Sequence, residues 1–150
     1  GLVQRLPRLI CVQAQSSDAM HRYITTGKYQ DAVHPTTCAD SISVRTPSNA
    51  HMARRAVLET GGTSVTVTDE EILSSLIRLG RLTGIFAEPA AASVVAALPH
   101  LLQHGQIDPQ EQVVLLVTGH GLKDIVSIRN SIDRLEPPAA KGNSADATAD

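Results

Sequence analysis

Gln112-Val113-Val114-Leu115-Leu116-Val117-Thr118-Gly119-His120-Gly121-Leu122-Lys123-Asp124 sets an unbroken apolar run directly ahead of two glycines that flank one residue. A short Val- and Leu-rich run closed by glycine reads as a buried strand, and strands apolar on both faces belong to parallel sheets. The glycines let the backbone turn sharply after that strand and approach another group closely. In open α/β sheets ligands bind outside the carboxyl ends of the strands, which is where this turn falls. The competing reading is a tight turn needed only for packing, and spacing alone does not separate the two.

Upstream of this stretch the chain alternates strand and helix signals. Arg8 to Ala14, built on the apolar run Leu9-Ile10-Cys11-Val12 and framed by Pro7 and Ser16-Ser17, reads as a second buried strand. A helix follows from Ser17 or Asp18 as N-cap to Thr26, where Gly27 stops it. Residues 27–40 read as a loop, and Ser41 to Arg45 as a short extended segment ended by Pro47. Ser48 or Asn49 caps a helix to Thr60, with Gly61-Gly62 beyond it, and the β-branched run Thr63 to Val67 is a further strand. Thr68-Asp69-Glu70-Glu71 then starts a helix with acid in its positive first turn and Ile72, Leu73, Leu76 and Ile77 at helical spacing. Pro89 opens an alanine-rich helix to Gln103, with Pro99 inside it, and Leu122 to Leu135 reads as a last helix. The sum is an α/β architecture, a parallel sheet flanked by helices.

Composition agrees and narrows the function. With one Phe, two Tyr and no Trp, the core must be aliphatic. A net charge of −2 with interspersed signs and no basic, aromatic-bearing patch argues against nucleic acid as partner. No apolar run approaches the ~20 residues that span a bilayer, so no membrane partner is expected. Cys11 and Cys38 form neither a disulfide framework nor a metal-ligand spacing, which points to no metal and to the reducing cytoplasm. The chain starts at Gly1 rather than Met and is read as a piece of something longer. Pro137 to Asp150 carries no large apolar residue and reads as a disordered tail. Residues 1–135 are accordingly one folded unit, and 136–150 the tail.

Three segments can carry chemistry besides the Thr118 turn. Glu88 lies between an apolar triplet and a helix-starting Pro; a carboxylate buried there needs a partner, or it is an acid beside a helix N-terminus. Thr37-Cys38-Ala39-Asp40-Ser41 is small and polar, and alone only a loop. Lys123 precedes Asp124 where a new segment starts, which suits a surface ion pair or helix cap better than a Schiff-base lysine, whose pKa must be lowered. His120 has no Ser or Cys nucleophile visibly paired with it and reads as a solvated loop histidine.

Taken in order, Pro7-Arg8-Leu9-Ile10-Cys11-Val12-Gln13-Ala14, Ala39-Asp40-Ser41-Ile42-Ser43-Val44, Val67-Thr68-Asp69-Glu70-Glu71-Ile72-Leu73, Gly84-Ile85-Phe86-Ala87-Glu88-Pro89-Ala90 and Thr118-Gly119-His120-Gly121-Leu122-Lys123-Asp124 resemble the C-terminal part of the threonine synthases. Those enzymes belong to the fold-type II (tryptophan synthase beta-like) pyridoxal-phosphate family, with threonine dehydratase and serine racemase as wider relatives. The form of the Thr118 turn is similar to the threonine synthase version rather than the dehydratase version.

The resemblance implies pyridoxal 5'-phosphate as cofactor in the complete enzyme, with an amino-acid substrate and a homodimer. The reaction it implies turns O-phosphohomoserine and water into threonine and phosphate. Thr118, with Gly119, matches the hydroxyl turn that hydrogen-bonds the pyridine nitrogen. Asp40 and Ser41 match the backbone along the ring edge, where relatives often have Gly in place of Ser41. Glu88 matches a carboxylate near the cofactor. Arg45-Thr46 and the polar tail depart from the pattern.

The resemblance further implies that the Schiff-base lysine and the phosphate-holding glycine loop lie upstream of Gly1. None of Lys28, Lys123 or Lys141 sits in the family's lysine motif, so no catalytic residue is assigned and the isolated chain is expected to be inactive. Two other readings stay open: another fold-type II lyase or dehydratase part, and a non-catalytic binding domain on the same fold.

Overall fold

Ile10–Ala14 and Thr63–Val67 form strands β1 and β2, which run parallel in register from Ile10 opposite Thr63 to Ala14 opposite Val67. The computed structural model describes residues 5–126 and 128–129. Side chains alternate across a strand, and here each face meets a different helical layer. Ile10, Val12, Ala14, Val65 and Val67 pack with Ile72 and Leu76 of α3 (Asp69–Thr83) and with Ala92, Ala96 and Ala97 of α4 (Pro89–Gln103). Cys11 faces the other way, onto Met20, Tyr23 and Ile24 of α1 (Ala19–Thr26) and Ala50 and Val57 of α2 (Ala50–Glu59). Parallel strands cannot be joined by a tight turn; α1 and α2 supply the crossover between β1 and β2. The predicted α/β layering is therefore present, with the helices on both faces of a parallel sheet.

The aliphatic core has the predicted character. Ile72 and Val67 are the largest fully buried apolar side chains, and the alanines of α4 let that helix approach α3 closely. Among the described residues, no helix is long and apolar enough to cross a membrane.

Helix α3 begins where its sequence says it should. Thr68 accepts the Glu71 N–H at 3.2 Å, and the Glu71 carboxylate accepts the Thr68 N–H at 2.7 Å, a complete capping box. The second Glu71 oxygen lies 2.7 Å from His100 Nε2, tying the start of α3 to the last turn of α4. Desolvation pushes the Glu71 carboxyl up, but the Thr68 N–H, the His100 ring and the Thr68 hydroxyl together hold it below its usual value. A carboxyl lowered in the fold contributes stability that is complete above its unfolded pKa and lost as pH falls through the folded value. Acid titration of unfolding should thus lose this share below about pH 4.5, and Glu71→Gln should flatten that limb. Thr68→Ala should cost about 1 kcal/mol in urea denaturation at neutral pH; an unchanged midpoint would remove the cap as a source of stability.

Two expectations are corrected. Gln112 to Val117 is not a strand: it is extended but pairs with no neighbour among the described residues, and Val114 and Leu116 are 84% and 71% exposed. Its apolar pattern reports fitness for burial, whereas a strand also needs a ladder partner. Ser41 to Arg45 is likewise not extended throughout, because Asp40–Ile42 closes a 3-10 turn with Ser43 N–H donating to the Asp40 carbonyl at 2.9 Å. The expected last helix is met in part: Gly121–Asp124 is a 3-10 turn, Ile125, Val126, Ile128 and Arg129 are helical, and residue 127 and those from 130 onward lie outside the described residues. The expected tail at Pro137 to Asp150 lies there too.

Candidate functional site

Two local clamps carry the Asp40 segment to the end of the sheet. Ser17, fully buried just past β1, has its hydroxyl 3.1 Å from the Ile42 and Val44 carbonyls and accepts the Val44 N–H at 3.0 Å. Asp69, in the first turn of α3, accepts the Cys38 N–H at 2.9 Å and the Thr37 hydroxyl. Between these anchors Asp40 and Ser41 are held at the rim of a cleft of about 490 Å³ that Thr37, Cys38, Glu88, Lys123 and Asp124 also line. Burial, with the charge and hydrogen bond of Asp69 behind it, pushes the Cys38 thiol up to about 12. At neutral pH Cys38 is therefore a neutral thiol and not a nucleophile.

Glu88 reaches the cleft from the N-terminus of α4. It is the N-cap residue, but its side chain makes no capping hydrogen bond. The residue is 7% exposed, and the partner its burial demanded is Lys123, with Nζ 3.1 Å from Oε2. Lys123 does form an ion pair, as expected of it, but the partner lies across the cleft.

The glycine turn comes in against the same carboxylate. Glu88 N–H donates to the Gly119 carbonyl at 3.0 Å, Gly121 N–H donates to the Phe86 carbonyl at 2.9 Å, and Ala87 and His120 form an antiparallel bridge between them. A Cβ on Gly119 would lie 2.0 Å from Glu88 Cδ, so glycine is needed here for close approach. His120 is exposed, with Nδ1 accepting the Leu122 N–H at 3.1 Å, a cap on the turn that follows.

Of the residues singled out from sequence, Asp40, Ser41 and Glu88 line one cleft, and Gly119 packs on Glu88. Thr118 is exposed and is not part of that lining. Sequence reading missed the Lys123–Glu88 pair and the Asp69 clamp. Asp69 carried a signal, an acid in a helix first turn, but that signal is fully explained by the helix dipole. A second cleft, of about 370 Å³, lies beside Ser64, Glu71 and His100. Its polar groups already serve the fold, Glu71 in the α3 cap and Ser64 bonded to His21 Nδ1 at 2.9 Å. Among the described residues, no group of three or more His, Cys, Asp or Glu could hold a metal.

Comparison with known proteins places this chain in a family. Residues 2–119 match the family described as pyridoxal-phosphate dependent enzyme. The chain is 39% identical over 149 residues to the threonine synthase of Methanosarcina acetivorans, covering 98% of this chain and 36% of that protein. It is 39% identical over 127 residues to the threonine synthase of Methanocaldococcus jannaschii, covering 83% of this chain and 31% of that one. The chain thus spans about a third of the length of these relatives. Among solved structures, Escherichia coli threonine synthase superposes with a TM-score of 0.65 at 21% identity, covering 87% of this chain and 29% of that one. An L-serine ammonia-lyase from Rhizomucor miehei gives 0.71 at 18% identity, covering 87% and 42%. At such identities the superpositions speak for the fold alone, and the fold they share is the fold-type II arrangement expected from the sequence. The chain belongs to the pyridoxal-phosphate-dependent enzymes.

Proposed function

We propose that this chain is the carboxyl-terminal part of a threonine synthase-like enzyme and carries the ring-edge side of its cofactor site. The observation that carries this reading is the convergence of Asp40-Ser41 and Glu88, far apart in sequence, on one cleft, with the Gly119 turn packed on Glu88. The 39% identity to two threonine synthases favours that reaction over the dehydratase and binding-domain alternatives.

The cleft suits one side of pyridoxal phosphate. Its lining is small and polar, and the missing Cβ of Gly119 lets the turn sit directly on Glu88. A phosphate dianion finds no glycine-rich cradle among the described residues, and the one cation in the lining, Lys123, is engaged by Glu88. Bound in the complete enzyme, the cofactor supplies an electron sink for an amino-acid substrate. Thr118, exposed and beside the Gly119 turn rather than in the cleft lining, would offer a neutral hydroxyl to the pyridine nitrogen, which would limit protonation there. Asp40 and Ser41 border the ring, and Glu88 sets a buried negative charge near it. The anchoring lysine and phosphate loop belong to the rest of the polypeptide, as do most contacts to the substrate phosphate.

Residues 1–150 alone should therefore turn over no O-phosphohomoserine and give no stoichiometric borohydride-reducible adduct with pyridoxal phosphate. Labelling at Lys123 alone, with turnover, would overturn the reading; mass spectrometry of the reduced chain decides it. In the complete enzyme Thr118→Val should weaken cofactor binding by about 0.5–1.5 kcal/mol and disturb turnover more than folding. An unmoved cofactor spectrum with unmoved kinetics would take Thr118 out of the site.

A further inference from the structure

Glu88 and Lys123 are unequal partners. The Glu88 side chain is 9% exposed and the Lys123 side chain 65%, so the lysine is a surface residue reaching inward. It starts from the 3-10 turn Gly121–Asp124, which follows directly on the glycine turn. Besides the edge-to-face contact of Phe86 with His120, three polar fastenings join residues 119–123 to residues 86–88. Two are backbone hydrogen bonds, Glu88 N–H to Gly119 O and Gly121 N–H to Phe86 O, and the third is the ion pair.

The backbone bonds hold main chain to main chain and do not themselves fix the Glu88 carboxylate. Its side chain makes no cap to α4 that would orient it. The direct bond that fixes the carboxylate is the one from Lys123 to Oε2, at 3.1 Å. Long side chains of lysine bury their stems and keep their ammonium groups where water remains. Lys123 can thus neutralise a buried acid without itself being desolvated. Gly119 closes the opposite side: with Cβ space filled by Glu88, that carboxylate is wedged between the turn and the ammonium.

We propose that Lys123 is a positioning residue: it clasps the glycine turn to the start of α4 and thereby fixes where the Glu88 carboxylate stands in the cleft. Its effect on the cofactor rests on the functional reading above, whereas its effect on the turn does not. Lys123 acts through Glu88.

The test uses the complete enzyme and the variants Lys123→Met, Lys123→Arg, Glu88→Gln and Lys123→Met with Glu88→Gln. Hydrogen exchange of the Glu88 and Gly121 amides, measured without added cofactor, should speed up about tenfold in Lys123→Met. Lys123→Arg, which keeps the charge and the reach, should bring exchange back to within about twofold of the starting rate. In the Glu88→Gln background Lys123→Met should add nothing. Pyridoxal phosphate titrated into the same proteins should bind more weakly to Lys123→Met, with a displaced absorption band that Lys123→Arg restores.

Unchanged exchange in Lys123→Met, or an equal effect after Glu88→Gln, would overturn the clasp. Faster exchange with an unmoved cofactor band and affinity would overturn the positioning role and leave only a structural contact. A complete wild-type enzyme that takes up no pyridoxal phosphate would instead overturn the functional reading, and the exchange rates would still decide the clasp.

Discussion

Gly62→Ala should destabilise the fold by about 3 kcal/mol or more, the largest loss expected of any glycine substitution among the described residues. A Cβ at Gly62 would lie 1.8 Å from the Leu9 carbonyl oxygen and 3.0 Å from that of Val57. Both are backbone atoms and cannot rotate away. Leu9 immediately precedes β1, and Gly62 immediately precedes β2, so the clash falls where the parallel ladder begins at Ile10 opposite Thr63. Relief requires sliding one strand against the other, and a shifted register would turn core side chains to the wrong helical layer. Gly61→Ala is the control. Gly61 has φ +66° with nothing within 4 Å of its Cβ position, so that variant meets only the left-handed conformational cost of about 1–2 kcal/mol. Urea midpoints measured side by side should rank Gly62→Ala clearly below Gly61→Ala. Equal midpoints would show that β1 and β2 have more room than their close approach implies.

Gly119→Ala should spare more of the fold and remove the site. Its Cβ would lie 2.0 Å from both Cδ and Oε1 of Glu88, and 2.4 Å from Cγ. These are side-chain atoms, so the strain can be relieved by expelling the carboxylate. Expulsion breaks the Lys123 ion pair and drives a buried acid toward water, at about 1–3 kcal/mol for the overpacking. In the complete enzyme that corresponds to roughly a tenfold to hundredfold loss of cofactor affinity if the site is built as proposed. Combining Gly119→Ala with Glu88→Ala removes the clash. The double variant should regain thermal stability lost by Gly119→Ala alone, while cofactor binding stays impaired. A Gly119→Ala enzyme with wild-type melting and spectrum would show that the turn does not press on Glu88.

The two glycines were equally visible in the sequence and differ in what they approach. Gly61-Gly62 reads as a helix stop, and it is one, but the collision of Gly62 with Leu9 spans more than fifty positions and has no local signal. Gly119 was recognised as a close-approach position without its neighbour being known. Its neighbour Glu88 had been singled out separately, as a carboxylate needing a partner. Neither expectation said that the two met.

Helix α3 shows what local pattern does determine. Thr68 and Glu71 cap each other within one turn, and Ile72 and Leu76 repeat on one face, so start, hand and buried side all follow from residues a few positions apart. The same holds for β2, whose Val65 and Val67 alternate with Ser64 and Thr66, and for Pro89 at the head of α4. Gln112 to Val117 marks the limit. Its composition promised a buried strand, yet burial is a relation between segments, and no strand pairs with it among the described residues.

Apart from residues 41–45 and 112–117, the order of helices and strands, the parallel α/β layering and the aliphatic core were determined by the sequence alone. Each depends on propensity, capping or periodicity, forces that act over one or two turns of chain. Tertiary structure decided that Ser17 and Asp69 deliver the Asp40 segment to the cleft, that Lys123 is the counter-charge of Glu88, and that Thr118 stays outside the lining. Those outcomes turn on which side chains the crossover and the glycine turn bring within bonding distance, and a charge separated by 35 residues from its partner carries no local trace of it.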